Sequence, residues 1–301
     1  MHNLILFGLM ALIWGLTWAA IKFGLDAGAP PILLAGLRYM LTTFILLPII
    51  RELRSAFSEG RSGRIIASAL LTNAGTYGLL FWGMQTVPSG LSGLVNLSLI
   101  PVLLFALAVL VGEDRPTWRH GLALGVGCAG LVGLFWSRLA EQDAGNGMGL
   151  AAIVAGTCCY CIGSVIARPL VGSVKPLTLT MLHAIIGGAA LMAISFAAGE
   201  IQPRALNSLA SWTVAGSLLY LSVLGTIVAY TLYLRLLEAW GTARAGLYAF
   251  ISPIIALAAG AWLFGETIGV AEIGGTVLLL TAAGIALSHK DPSGDRRTNQ
   301  K

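Results

Sequence analysis

The sequence predicts an all-α polytopic membrane protein whose ten transmembrane helices form two inverted five-helix repeats. Three observations carry that prediction. Of the 301 residues, 57% are apolar and only 10% charged, whereas soluble domains carry charge at about a quarter of positions; a water-facing surface of this size cannot be covered with so little charge. Apolar runs of about 20 residues, long enough to cross a bilayer core of roughly 30 Å, recur along the whole chain. Finally, the second half repeats the residue pattern of the first.

Charges and turn residues divide the chain into apolar segments at 4–24, 31–50, 65–86, 90–111, 118–137, 148–168, 176–198, 212–236, 243–264 and 269–288. The first is read as a span, not a signal peptide: only Met1, His2 and Asn3 precede it, it exceeds a typical h-region, and it carries Trp14 and Trp18. The second opens on Pro30-Pro31 and holds Arg38 at depth. The third carries Asn73 and Tyr77, and the fourth Asn96, Ser98 and Pro101, ending in "VLVGED". In the sixth, "CCYC" (Cys158, Cys159, Cys161) has no further ligand nearby, so it reads as packing and not as a metal site. Tyr160 and Ser164 share that segment, and the seventh holds His183. The eighth holds Tyr230 and Tyr233. The ninth carries Tyr248 and Pro253 and ends in "WLFGET", and the tenth precedes a polar tail, 290–301. The 38 glycines suit close packing of membrane helices.

The loops orient the chain. Of 18 Lys and Arg, fourteen fall on the side of the even-numbered connections and the C-terminus: Arg51, Arg54, Arg61 and Arg64; Arg115 and Arg119; Arg168 and Lys175; Arg235 and Arg244; and Lys290, Arg296, Arg297 and Lys301. The other side has Lys22, Arg138 and Arg204, and Arg38 lies within a span. By the positive-inside rule both termini are cytoplasmic. Loop placement thus accounts for the net charge of +5 without invoking nucleic acid.

At an offset of 153, Gly112-Glu113 falls on Gly265-Glu266, Gly93 on Gly246, Tyr77 on Tyr230 and Gly121 on Gly274; earlier in the halves the offset is 146, pairing Pro30 with Pro176. The divisions are 1–140 and 146–289. An odd number of spans per half inverts the second half, the construction of secondary transporters with a midplane site at the repeat interface. The two Gly-Glu phrases then lie on opposite faces. Each glycine is expected to end a helix in the left-handed conformation, and each glutamate to stand before the N-terminus of the next helix, where the dipole favours a negative charge. Neither acid is placed in the site.

Over residues 4–288 the sequence resembles the drug/metabolite transporter superfamily, in its EamA-type ten-helix branch. The carrying stretches are "ALIWGLTWAAIKFGL", "PPILLAGLRYMLTTFILLP", "GLLFWGMQTVPSGLSGLVNLSLIPVLLFALAVLVGED" and "ARAGLYAFISPIIALAAGAWLFGETIGVAEIGGTVLLLTAAGIAL". One departure stands out: the second half has no counterpart of Arg38, and "MLHAIIGG" occupies that region. The resemblance implies a basket of helices around a central cavity formed by spans 1–4 and 6–9. It places spans five and ten at the periphery, where a second copy would form a homodimer. It also implies export, or sometimes uptake, of small metabolites across the inner membrane.

Polar groups at membrane depth point to a transport path. Arg38 either holds a substrate carboxylate or bonds backbone carbonyls or a neighbouring helix end, locking two spans together. Trp14, Thr17, Trp18 and Ile21 share one helical face, either lining a cavity or anchoring at the interface. Asn73 and Tyr77, with Thr226 and Tyr230, place polar groups at corresponding positions in spans three and eight. Tyr233, Asn96, Tyr160, Ser164 and Tyr248 complete the candidate substrate-binding set, each equally able to serve as an interhelical hydrogen bond. His183 is a proton carrier or a satisfied structural histidine. No carboxylate sits at the midplane, so weakly coupled transport is expected. No H-E-x-x-H, intramembrane aspartate pair or G-x-S-x-G occurs, so no catalytic residue, metal or cofactor is expected. The function expected is a carrier, chiefly an exporter of amino acids or related amphiphilic metabolites. The competing readings are a lipophilic-cation exporter, a passive channel and a membrane enzyme.

Overall fold

The computed structural model describes residues 2–53, 60–111, 118–140, 144–170, 173–233, 235–236, 239 and 248–287. Among them the chain is helical, without a strand. The main helices are α1 (His2–Asp26), α2 (Pro31–Ile45), α3 (Ser62–Gly83), α4 (Ser89–Leu110), α5 (Trp118–Ala140), α6 (Ala144–Ala167), α7 (Pro176–Ala197), α8 (Trp212–Tyr233), α9 (Tyr248–Phe264) and α10 (Val270–Leu287). Helices α1, α3, α6, α7 and α8 are long and apolar enough to cross a membrane, and shorter apolar helices lie within the other five. The polar tail and the "GED" of the first Gly-Glu phrase lie outside the described residues.

Local chemistry sets the helix ends. Helix α1 stops at Gly28 (φ 87°), where Gly28 N–H donates to Leu25 O (2.9 Å) and Ala29 N–H to Gly24 O (3.2 Å). This is the paired closure a left-handed glycine permits. Proline at the first position opens both α2 and α7, where a missing N–H costs nothing. Pro48 lies in a 3₁₀ turn, Leu47–Glu52, that follows α2. Both α3 and α8 contain a π-helical segment, Leu70–Gly75 and Tyr220–Val228. In each, a threonine hydroxyl donates five residues back: Thr76 to Leu71 O (2.9 Å) and Thr226 to Leu221 O (2.8 Å).

The packing is consistent with two related halves. Helices α2 and α7, α4 and α9, and α5 and α10 pack against one another. The α1–α9 contact has its counterpart in α6–α4, α3–α6 in α8–α1, and α3–α7 in α8–α2. Exchanging α1–α5 with α6–α10 maps this set onto itself. The matching threonines revise one register: α3 lies on α8 at an offset of 150, Gly75-Thr76 on Gly225-Thr226, not 153.

Carboxylates tie the halves end to end. Glu200, just past α7, accepts from Ile32 N (3.2 Å), Leu33 N (2.7 Å) and Ser195 Oγ (2.8 Å), closing the N-terminus of α2. Glu52, just past α2, accepts from Lys175 Nζ (3.0 Å) and Thr178 Oγ1 (2.9 Å) at the start of α7. The Lys175 contact, then Thr178, hold the Glu52 carboxyl below its ordinary value. That contribution is present above the ordinary carboxylate range and fades as pH falls through the lowered value. Glu266 accepts from Ser89 N (2.6 Å), Ser89 Oγ (2.7 Å) and Gly90 N (2.9 Å). Gly265 does end α9 in the left-handed conformation (φ 64°). The expectation for the acid is corrected: Glu266 caps α4 in the other half, whereas Glu272 meets Gly269 N (3.0 Å) at the start of α10. Four unsatisfied N–H groups at a helix start in an apolar setting are a stronger attractor than an adjacent exposed turn.

Candidate functional site

A cavity of ≈ 370 Å³ lies between the halves, lined by α1, α2, α3 and α4 from one and α6, α7, α8 and α9 from the other. All twelve candidates from the sequence line it: Trp14, Trp18, Arg38, Asn73, Tyr77, Asn96, Tyr160, Ser164, His183, Tyr230, Tyr233 and Tyr248. Ser98, on the same helix as Asn96, is buried outside it with no hydrogen-bond partner. At one end the lining reaches Ala167, Leu179 and Thr180, where α6 and α7 approach the 168–175 connection. Toward the other end it stops at Ile21 and Leu80. Beyond lies close packing: a Cβ on Gly90 would sit 2.9 Å from Leu257 Cα.

Arg38 is the charged centre. It is 3% exposed. Its Nε and Nη2 both donate to Thr226 Oγ1, at 3.2 and 3.0 Å. That oxygen is oriented by its own bond to Leu221 O, so the π segment of α8 presents its lone pairs to the guanidinium. The guanidinium carbon lies 4.7 Å from the Tyr77 ring centre and 5.3 Å from that of Tyr39. Nη1 is buried with no hydrogen-bond partner. The lining residues include no Asp or Glu. Arg38 therefore does bind a facing helix, but through a side chain, and among the described residues of the lining its charge has no carboxylate beside it.

His183 stands on α7 much as Arg38 stands on α2. Its Nε2 lies 3.0 Å from Ser68 Oγ and its Nδ1 3.3 Å from Thr72 Oγ1, both on α3. The backbones correspond too: Ser222 Oγ on α8 donates to Arg38 O (2.9 Å), and Asn73 Nδ2 on α3 donates to His183 O (3.1 Å). The two halves thus build one arrangement twice, with a permanent cation in one copy and an imidazole in the other.

Aromatic rings form the wall beside Arg38. Trp14 Nε1 donates to Gly225 O (3.2 Å), one residue from the threonine that holds Arg38. Its ring meets Tyr248 at 4.7 Å and Tyr233 at 5.6 Å, and Tyr230 continues the cluster at 6.4 Å from Tyr233. Two polar candidates each donate a hydrogen bond to the protein. Asn96 Nδ2 donates to Thr157 Oγ1 (2.9 Å), tying α4 to α6, and Ser164 Oγ donates to Tyr160 O (2.7 Å) within its own helix. Sequence reasoning missed Tyr39, Thr72 and Thr76 as lining residues. Thr72 and Thr76 are one turn apart and Tyr39 adjoins Arg38, which is the signal that would have found them. Among the described residues no cluster of His, Cys, Asp and Glu could hold a metal.

The EamA-like transporter family matches this chain twice, over residues 2–136 and 147–288. An uncharacterized inner membrane transporter of Escherichia coli (strain K12), YedA, is 30% identical over 272 residues, 87% of this chain and 82% of that one. A probable amino-acid metabolite efflux pump of Salmonella typhimurium is 25% identical over 283 residues, 90% of each chain. A solved crystal structure with 16% identity shares the fold at a TM-score of 0.62, covering 99% of both chains.

Proposed function

The chain belongs to the EamA-like transporter family, and from that premise we propose that it carries a small amphiphilic metabolite, an amino acid or a derivative, by alternating access. Export is the proposed direction, across the inner membrane, with ten crossings and both termini cytoplasmic. One observation carries the reading: a cavity of ≈ 370 Å³, within the range of small-molecule sites, is lined by four helices of each half. Interconversion of two like halves would open such a cavity to each face in turn. The relatives named as a transporter and an amino-acid metabolite efflux pump support the class. A lipophilic cation is the poorer cargo, since among the described residues the lining offers a fixed cation and no carboxylate.

The test is a metabolite-toxicity panel on overexpressing cells, followed by counterflow in proteoliposomes with the protective compounds. Preloaded vesicles are expected to show a transient, saturable overshoot of labelled solute. Linear, non-saturating flux would indicate a channel instead. Because no carboxylate lines the cavity, uptake is expected to respond weakly to a pH gradient. Any response should vanish in His183→Ala, the candidate with two hydroxyl-bonded ring nitrogens. A steep gradient dependence surviving that substitution contradicts the expectation.

A further inference from the structure

We infer that the preferred cargo is a monoanionic carboxylate without a free ammonium group, such as an N-acylated amino acid or a 2-hydroxy acid with an apolar body, its carboxylate held by Arg38. The inference rests on the carrier reading above and narrows it. A buried guanidinium with one neutral oxygen and two ring faces for company is an incomplete ion pair. Taking a charge out of water costs several kcal/mol unless a counter-ion returns it. The geometry leaves room for one kind of counter-ion. Thr226 Oγ1 spans the Nε and Nη2 edge, and Nη1 has no acceptor. Among the described residues the Nη1–Nη2 edge therefore meets no further acceptor, and two parallel N–H groups there match the two oxygens of a carboxylate. Nη1 is covered in this conformation, so binding entails an adjustment of the packing around the guanidinium, where the Tyr77 ring is nearest.

Charge balance separates an anion from a zwitterion. Arg38 and one carboxylate make a neutral loaded cavity. A zwitterion would bring an ammonium into a lining that has no acid to receive it, leaving only ring faces and neutral oxygens. Cation–π contacts return less than the cost of burying an unpaired ion. The position of the rings completes the fit. Trp14 is tied to Gly225 and Arg38 to Thr226, so the aromatic wall begins one residue from the anion site. An apolar body extending from the carboxylate would lie along Trp14, Tyr248 and Tyr233.

The experiment uses the full-length protein in phosphatidylcholine proteoliposomes and in detergent. Four compounds sharing one ring are compared for inhibition of counterflow and for thermal stabilisation: N-acetylphenylalanine, phenyllactate, phenylalanine and phenethylamine. The first two are expected to act at concentrations at least about tenfold lower than phenylalanine, and phenethylamine not at all. Arg38→Gln should abolish the preference for the anions, and Arg38→Lys should weaken their binding about tenfold through loss of the two-point contact. Each variant is first checked for a cooperative melt; if both melt abnormally, Thr226→Val, which frees the other edge of Arg38, should still alter anion affinity. Phenylalanine matching or beating the anions overturns the inference, as does an anion preference that survives Arg38→Gln. Stabilisation by anionic lipid or by chloride, but by neither carboxylate, would assign the charge to another anion and also overturn it. If none of the four competes while another metabolite shows counterflow, this inference fails and the carrier reading stands. If no solute shows counterflow, both fail.

Discussion

Replacing Gly83 with valine is expected to destabilise the protein by about 2–4 kcal/mol or to prevent its accumulation. The reason lies in a reciprocal contact between α3 and α6. A Cβ on Gly83 would stand 2.5 Å from Gly149 O and 3.0 Å from Ile153 Cγ1. A Cβ on Gly149 would stand 2.8 Å from Gly83 O in return. Backbone meets backbone on both sides, so no side chain can swing aside and the helices must separate. In a bilayer, helix association depends on such close approach because lipid chains already solvate apolar surface. Gly8→Ala is the control, since nothing lies within 4 Å of its added methyl group. It should be neutral or slightly stabilising, as alanine favours the helix. Fluorescence-detected melting in detergent distinguishes them, and equal melting temperatures for Gly83→Val and Gly8→Ala would contradict the account.

Glu266→Ala should cost about 2–4 kcal/mol, because it leaves the Ser89 and Gly90 N–H groups at the start of α4 without their acceptors. The carboxylate comes from 177 residues away, so its loss weakens the junction of the two halves as well as one helix end. Glu266→Gln keeps one acceptor oxygen without the charge and should fall between wild type and alanine. Indistinguishable melting of all three proteins would show that water or another group satisfies α4 equally well.

These two predictions mark how far the sequence could be read. The apolar helices were legible because lipid demands long apolar runs. Trp14, Arg38, Asn73 and Tyr77 were legible as candidates because polar groups at depth are rare. Their companions were not, because the deciding contacts are long-range. Nothing local announces that Thr226 receives the guanidinium of Arg38, 188 residues earlier. The same holds for Glu266, whose neighbours in sequence suggested the next helix while its partners lie in the other half. The π segments were hidden for another reason. Their sign is a Gly-Thr pair repeated at 75–76 and 225–226, and aligning the tyrosines at 153 masked it. Arg38 ties α2 to α8 through Thr226, and its Nη1 is left without an acceptor.

The central claim is that one cavity between the halves serves both faces in turn. Its most direct test is side-specific labelling of Ser164→Cys, a lining position whose hydroxyl bonds only its own helix. The background replaces Cys128, Cys158, Cys159 and Cys161. A membrane-impermeant maleimide is applied to right-side-out and to inverted vesicles, with and without a solute that shows counterflow. Alternating access predicts modification from each face, slowed by the solute in both orientations. Modification from one face alone under every condition, or at a rate the solute leaves unchanged, would contradict it.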